Sequence, residues 1–454
     1  MTDKQMINNF TEGPILKHMI PFAIPFMLSN AMQVAYAIVD MIIVGQFVGA
    51  EGLSAVSVAS QVFTFMTMLC LGFATGGQVY ISQLIGSGRK DKLNNTIGTL
   101  FSIVFMIGIV MSVIGLVFKT QILHLLNTPS ESFHYALDYM VVCSLGILFT
   151  YGYNLLSAIF RGMGDSKHPF IFILIASLVN VVLDLFFICV LHLSVLGAAL
   201  ATILGQAVSF ICALIYLYNH KTSFGFDFKL ESFKIDTKIA SALLKIGVPF
   251  AVQNAAINIS MMFVNTLVNG LGVYASATFG VGLKLDDIIN KISAGIMYAA
   301  SSMVGQNVAA KKYDRTKSIV WYSIGLSSIL YLCFGLLMFL KPKLLFGFFT
   351  SDIEVIKLAP IYVSAILWNY PAMVLMRGTN GLIQGCGNSK LSLVFSLLDA
   401  VVFRIGLSYL MGIVLNLGLY GFFLGYGLAA YGTSIPGMIY FLSNKWQSFE
   451  LIQD

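Results

Sequence analysis

Long apolar runs alternate with short polar loops along the whole chain. Each run has about 20 residues or more, the length that an α-helix needs to cross a bilayer. The pattern predicts twelve transmembrane helices, near residues 18–48, 53–84, 96–118, 134–158, 169–193, 196–218, 241–270, 274–305, 318–340, 357–382, 391–413 and 418–443. The sequence is therefore typical of an all-α integral membrane protein.

Composition and charge agree with this interpretation. Hydrophobic residues make up 58% of the chain and charged residues 10%, against about 25% charged in ordinary globular domains. Eighteen loop Lys and Arg residues fall on one side of the predicted membrane and four on the other. Because cytoplasmic loops carry the excess of positive charge, we expect a multi-pass protein of the cell (inner) membrane with both termini cytoplasmic. The net charge of +6 thus concerns orientation in the lipid bilayer, and we expect no nucleic-acid partner and a monomer.

The second half of the chain repeats the first. LKHMIPFA (16–23) recurs as LKIGVPFA (244–251), and RGMGDSK (161–167) recurs as QGCGNSK (384–390). Each half holds six predicted spans, an even number, so both halves have the same orientation, as in parallel transporter repeats.

The repeat predicts two six-helix lobes related by a pseudo-two-fold axis along the membrane normal. The N-lobe would comprise residues 1–219 and the C-lobe residues 241–454, joined by a cytoplasmic linker at 220–240, the most charged stretch of the chain.

Signatures of enzymes and of ATP-driven pumps are absent from the sequence. It contains no Gly-Lys dipeptide, which excludes a Walker-type phosphate loop, and no His-Glu-x-x-His, Cys-x-x-Cys or Gly-x-Ser-x-Gly pattern. We therefore expect neither an enzyme nor a bound cofactor.

Two acids lie deep in predicted spans, Asp40 in the first and Asp184 in the fifth. At about 1.5 Å of rise per residue, both lie roughly 10–14 Å below the outer surface. Tyr139, Asn180 and Thr202 fall in the same layer. A charged carboxylate at the centre of a spanning helix costs about 2.5–3.5 kcal/mol, and acids at such positions usually mark ion or proton pathways.

Two neighbouring carboxylates in a low-dielectric site do not both ionise easily unless a cation lies between them. The pair can hold a proton, or a Na⁺ bound by oxygen atoms of Asp40, Asn180, Asp184 and Thr202. The alternative is that these groups only hydrogen-bond to one another and stabilise the bundle. The repeat-related positions hold no acid, so the site is expected in the N-lobe alone.

Other polar residues within the spans have two interpretations each. Lys284, Asp287 and Lys291 can form an ion-pair ladder by i,i+3 and i,i+4 spacing, or face a water-filled central cavity. Tyr36 and Gln33 lie one and two turns before Asp40, and Asn154 lies in the fourth span. These last three are candidates for contact with substrate, with core packing as the alternative.

The segment PFAIPFMLSNAMQVAYAIVDMIIVGQFVGAEGLSAVSVA, together with the repeated G-x-G-[DN]-S-K loops, resembles the MATE family of multidrug and toxin extrusion transporters. The resemblance extends over essentially the whole chain. It implies two lobes around a central cleft and alternation between inward- and outward-open states. It also implies export of organic, often cationic, amphipathic compounds in exchange for H⁺ or Na⁺.

The resemblance also implies residue roles. The five-residue layer resembles the cation site of DinF-like and archaeal members, and Pro25 resembles the family's kink in the first helix, proposed to bend when Asp40 is protonated. NorM-like members carry further acids in helices seven and ten, which this chain lacks. The rival function is a flippase for a lipid-linked oligosaccharide or cell-wall precursor. A flippase would favour a strongly basic cavity, and few cations lie within the predicted spans: Lys284, Lys291, Arg377 and Arg404.

Overall fold

The structure is a computed structural model that describes residues 7–448, and no strand occurs in this range. The α-helices are α1 Ile15–Phe47, α2 Ala50–Gly86, α3 Leu93–Val117, α4 Lys119–Leu125, α5 Ser130–Gly162, α6 Lys167–Asp184, α7 Ser194–Asn219, α8 Lys221–Phe224, α9 Thr237–Asn269, α10 Val273–Ala309, α11 Tyr313–Leu340, α12 Pro342–Gly347, α13 Ile353–Ile366, α14 Asn369–Cys386, α15 Ser389–Leu397, α16 Gly406–Tyr409, α17 Gly418–Leu428 and α18 Tyr431–Leu442. Short 3₁₀ segments lie at Lys90–Lys92, Leu230–Phe233 and Lys445–Ser448, and π-helical segments at Leu185–Val190, Leu398–Ile405 and Leu410–Val414.

The helices follow the predicted spans closely. Nine helices in the described range are long and apolar enough to cross a membrane, and α13 with α14 forms a tenth span bent by 50°. The all-α membrane fold predicted from the apolar runs is therefore confirmed.

The remaining two predicted spans fall on α10 and on α17 with α18. Four charged residues between Lys284 and Lys291 make α10 less apolar than the other long helices. The last span is divided at Ala429 and Ala430 into helices of 11 and 12 residues, each shorter than the roughly 20 residues that cross a bilayer.

The chain forms two compact units. The first contains Leu28–Ala251 with the described residues up to Asn9, and the second contains Phe10–Met27 with the described residues from Val252 onward. Helix α1 thus supplies residues to both units. The lobe bounds 1–219, 220–240 and 241–454 stay a prediction, and the termini expected in the cytoplasm lie outside the described residues.

Left-handed backbone positions recur at the repeat spacing. Gly49 (φ 87°) precedes α2 and Gly272 (φ 109°) precedes α10, while Gly164 (φ 85°) and Gly387 (φ 79°) lie in the two G-x-G-[DN]-S-K loops. Further positive-φ pairs at this spacing are Gly88 with Lys311, His192 with Asn416, and Ser194 with Gly418. The two halves therefore share their turns as well as their sequence motifs.

Apolar side chains cover the outside of the helices as well as their packed faces. On α3, Ile109, Val113 and Val117 follow at i,i+4 spacing and are 54%, 53% and 60% exposed. Contiguous exposed apolar surface of this kind is unfavourable in water and marks contact with lipid or another apolar partner.

The predicted linker segment packs on α3 within the first unit. The Ser102 hydroxyl donates to the Phe233 carbonyl at 2.6 Å, and the Asp236 amide donates to Thr99 Oγ1 at 3.1 Å. Asp227 accepts hydrogen bonds from the Ser232 hydroxyl and the Lys229 amide, which hold the pKa of its carboxyl below its usual range. Residues 226–236 are therefore folded against the helix that precedes them by more than a hundred residues.

This packing requires a glycine at position 98. A Cβ built at Gly98 would overlap the Ser232 carbonyl group, and relieving such an overlap costs about 1–3 kcal/mol. We predict that Gly98→Ala displaces the segment and speeds limited tryptic cleavage at Lys229 and Lys234. The control is Gly325→Ala, because a Cβ added there meets no atom within 4 Å beyond the adjoining backbone of its own helix. Equal cleavage rates in both variants and the wild type would contradict the docking.

Candidate functional site

Two buried carboxyl groups face each other in the first unit. Asp40 on α1 is 9% exposed and Asp184, the last residue of α6, is 0% exposed. Their side chains are close enough to interact directly. Oδ1 of Asp40 and both oxygens of Asp184 are buried, and none of them has a hydrogen-bond partner among the described residues. Because an unsatisfied buried polar group costs about 1–3 kcal/mol, these oxygens are well suited to accept a cation or a proton.

Three neutral polar residues surround the two acids. Asn180 lies one turn before Asp184 and is buried, and within the described range neither atom of its side-chain amide group is hydrogen-bonded. Asn180 and Thr202 line one small cavity, and buried Tyr139 interacts with Thr202 and Asp40. The structure thus brings together all five residues of the predicted layer, contributed by α1, α5, α6 and α7.

The backbone changes its winding at Asp184. Helix α6 ends there and continues as the π-helical segment Leu185–Val190, a conformation that is rare and frequent at functional sites. The second half has a π-helical segment at the equivalent place, Leu410–Val414. The residue there that corresponds to Asp184 is Ser408, which is buried. The backbone feature is therefore common to both halves, whereas the acid is present only in the first.

The donor set suits a proton or a small monovalent cation. Carboxylate and amide oxygens are hard ligands, which hard cations prefer. Among the described residues no group of three or more His, Cys, Asp or Glu side chains is placed to hold a metal ion. Asp40, Asp184 and the Asn180 carbonyl oxygen would supply the ligands, with Thr202 beside them.

The predicted substrate-contact residues of the first helix and the fourth span lie in different environments. Tyr36 lines the same small cavity as Asn180 and lies close to Asp40. Gln33 is exposed, and the Asn154 amide donates to the Thr150 carbonyl of its own helix at 2.9 Å. Pro25 lies inside α1, which is continuous from Ile15 to Phe47.

A larger open cavity of about 320 Å³ lies within the second unit. Asp287 and Lys291 of the predicted charge cluster line it and pair at 2.9 Å. Lys284 is exposed and has no ion pair within the described chain. The predicted ladder is thus reduced to one pair, and that pair lines the cavity of the second unit.

Sequence reasoning missed Asp286, a buried acid in the wall of this cavity. Asp286 is 3% exposed and accepts hydrogen bonds from Tyr362 at 2.5 Å and Tyr370 at 3.3 Å. Its neighbour Asp287 is exposed, because consecutive residues of a helix point to different faces. The sequence did show an acid within the eighth predicted span and two tyrosines, Tyr362 and Tyr370, within the tenth.

A buried ion pair lies in the same wall. Arg404 donates to Asp399 at 2.7 Å, with side chains only 10% and 4% exposed. The guanidinium also lies 4.9 Å from the centre of the Tyr426 ring. Asp399 and Arg404 both belong to the π-helical segment Leu398–Ile405. Backbone hydrogen bonds in a π-helix join residues five apart, which is also the spacing between Asp399 and Arg404.

The sequence matches the MatE family twice, over residues 25–186 and 249–410. The chain belongs to the MatE family. The two matches correspond to the two halves of the internal repeat, and MatE proteins are multi-pass membrane transporters, not enzymes.

Relatives of this MatE protein match over nearly their full length. The "Probable multidrug resistance protein YpnP" of Bacillus subtilis (strain 168) is 28% identical over 450 residues, covering 98% of this chain and 99% of the relative. YoeA of the same strain, also a "Probable multidrug resistance protein", is 26% identical and covers 97% and 96%. A solved structure described as the outward-facing conformation of a multidrug resistance MATE family transporter has a TM-score of 0.90 at 22% identity, covering 98% of each chain. This structural likeness establishes the fold.

The MatE protein has a buried ion pair, Asp399–Arg404, and an exposed one, Glu354–Lys357, which allow a matched test of stability. Removing one partner of a buried pair costs about 3–5 kcal/mol, because the other charge is left uncompensated. We predict that Asp399→Asn clearly lowers the melting temperature of the detergent-solubilised protein. Glu354→Gln, which breaks the exposed Glu354–Lys357 pair of 2.6 Å, should leave it nearly unchanged, since exposed pairs contribute about 0–1 kcal/mol. Equal effects of the two substitutions would contradict this assignment.

Proposed function

We propose that this MatE protein is a secondary active multidrug exporter that exchanges organic, often cationic, amphipathic compounds for H⁺ or Na⁺ by alternating access. It works as a monomer in the cell (inner) membrane with both termini in the cytoplasm. The names of the relatives support drug export, and the excess of Lys and Arg in one set of loops supports the orientation.

One observation carries the coupling proposal: the facing pair of Asp40 and Asp184, with three buried oxygens that lack hydrogen-bond partners in the part of the chain that the structure describes. Two ionised carboxylates at close range in a buried site repel each other. The pair is therefore most stable when it shares one positive charge, either a proton on one carboxyl group or a Na⁺ between them. Asn180, Thr202 and Tyr139 complete the shell.

Because Asp40 lies on helix α1, binding of a proton or Na⁺ by the acid pair can change the conformation of this helix. With a proton, its carboxyl group can donate a hydrogen bond to Asp184, and without one the two carboxylates repel. Pro21 and Pro25 each remove a backbone hydrogen bond from α1, which lowers the cost of bending this helix. A cation shifts a conformational equilibrium only if it binds one conformation more tightly. An Asp40–Asp184 distance that changes as α1 bends would supply that difference.

The charges of the larger cavity disfavour the flippase alternative. The acids Asp286, Asp287 and Asp399 are balanced there by the bases Lys291, Arg377 and Arg404. A carrier for a polyanionic lipid-linked precursor would favour a strongly basic wall. A wall of mixed charge with methionine side chains suits varied small amphipathic molecules better.

Efflux from loaded vesicles tests the coupling role of Asp40. We predict that Asp40→Asn reduces gradient-driven efflux of ethidium or a fluoroquinolone at least tenfold, because an amide can neither bind a proton nor neutralise Na⁺. The matched control is Asp138→Asn, which removes a half-buried acid of α5 that pairs with exposed His134 and should leave efflux unchanged. Separate H⁺ and Na⁺ gradients identify the coupling ion.

Unchanged gradient-driven efflux in Asp40→Asn would contradict cation coupling through Asp40. Absence of efflux by the wild-type protein across a broad panel of dyes would instead favour the flippase.

A further inference from the structure

A short helix follows the third long helix of each half. Helix α4 begins two residues after α3 ends at Val117, and α12 begins two residues after α11 ends at Leu340. Both preceding helices are long and apolar enough to cross a membrane. Because each short helix begins where a span ends, we expect α4 and α12 at the surface of the bilayer.

Each short helix is fixed to its own unit by a fully buried apolar residue. Leu123 of α4 and Phe346 of α12 are both buried and lie 223 residues apart, a spacing of the internal repeat. Next to Leu123, the His124 ring lies 4.7 Å from the Phe133 ring of α5. The Phe346 ring lies 5.9 Å from the Tyr362 ring of α13. One side of each short helix is therefore held in the packed core.

An exposed apolar side chain follows two residues after each buried one. Leu125 is 81% exposed and Phe348 is 75% exposed, and they too are 223 residues apart. Since residues two apart in a helix point to different sides, these side chains face away from the core. We call Leu125 and Phe348 the apolar tips. Exposed apolar residues thus occur on the spanning helices, at Val117 and Leu340, and on the short helices that follow them.

Unpaired lysines accompany both apolar tips. The cation-poor side of the predicted membrane has four loop cations: Lys119, Lys341, Lys343 and Lys357. The first belongs to α4, and the next two lie at the start of α12. Lys357 pairs with Glu354 at 2.6 Å, whereas the other three form no ion pair within the described chain. Three uncompensated cations therefore lie on the two helices that carry exposed apolar tips.

Charge decides which partner fits these surfaces. Neither α4 nor α12 contains an acid, so a second copy that docked through the same helix would bring lysines against lysines. A phospholipid surface supplies the missing anions, because its phosphates lie directly above the apolar acyl chains. Lysines at such a surface keep the ammonium group in the headgroup layer while neighbouring apolar side chains enter the lipid.

We propose that α4 and α12 are lipid anchors, one in each unit, which bind anionic phospholipids at the surface of the membrane. The apolar tips Leu125 and Phe348 enter the boundary between headgroups and acyl chains. Lys119, Lys341 and Lys343 bind the lipid phosphates. The inference concerns the membrane surface and does not depend on which compound the protein exports.

Fluorescence quenching tests where the two apolar tips lie. Leu125→Trp and Phe348→Trp each add one tryptophan to the three native ones of the full-length protein in vesicles that contain phosphatidylglycerol. We predict that phospholipids brominated on the acyl chain near the headgroup quench the added fluorescence at least twofold more than aqueous iodide does, because an interfacial side chain lies below the phosphates.

Two results of this experiment would overturn the proposal. Added fluorescence that is quenched mainly by iodide would place the tip in water. Resistance to both quenchers would mean that another protein, such as a second copy of this chain, covers the tip. A melting curve for each variant shows that it is folded.

A lipid titration tests the three lysines. We predict that phosphatidylglycerol raises the melting temperature of the detergent-solubilised wild type more than phosphatidylcholine does, since a ligand that binds only the folded state stabilises it. The combined substitutions Lys119→Gln, Lys341→Gln and Lys343→Gln should remove at least half of this difference. Lys357→Gln removes a cation that already has an acidic partner and should retain the difference. Equal differences in the triple variant and the wild type would overturn phosphate binding by these lysines.

Discussion

Repulsion between two buried carboxyl groups is the constraint on which the proposed function depends. Asp40 and Asp184 face each other inside the first unit, and three of their oxygens have no hydrogen-bond partner between residues 7 and 448. A fold that only had to be stable would place apolar or fully hydrogen-bonded groups there, because each unsatisfied polar atom lowers stability. The two acids tie the state of the site to whether a proton or Na⁺ is present, which is what a carrier driven by a cation gradient requires.

The two halves use one backbone for different chemistry. Positive-φ turns and a π-helical segment recur 223 to 225 residues apart, so the chain repeats its local folding. The acids within its spans do not repeat. The first unit holds two facing acids, whereas the second holds a charge-balanced cavity in which Asp286 is bound by tyrosines and Arg377 by neutral groups. The duplicated scaffold thus supports a candidate cation site in one unit and a candidate substrate cavity in the other.

Features that depend on periodicity along one helix could be predicted from the sequence. The spans follow from apolar length, and the common depth of Asp40, Asp184 and Asn180 follows from the fixed rise of a helix. Features that depend on distant residues could not. Asp286 finds its partners 76 and 84 residues away, and residues 226–236 dock on α3 through Gly98, Thr99 and Ser102. The Asp399–Arg404 ion pair could not be predicted from i,i+3 and i,i+4 spacing, because its partners are five residues apart in a π-helical segment.

The most direct test of cation exchange measures the ion rather than the drug. Proteoliposomes would contain a pH-sensitive or Na⁺-sensitive dye and receive an ethidium gradient with no ion gradient. The account predicts that H⁺ or Na⁺ moves opposite to ethidium, and that this movement disappears in Asp184→Asn. Ethidium that crosses through the wild-type protein with no opposite flux of either ion would contradict cation-coupled exchange.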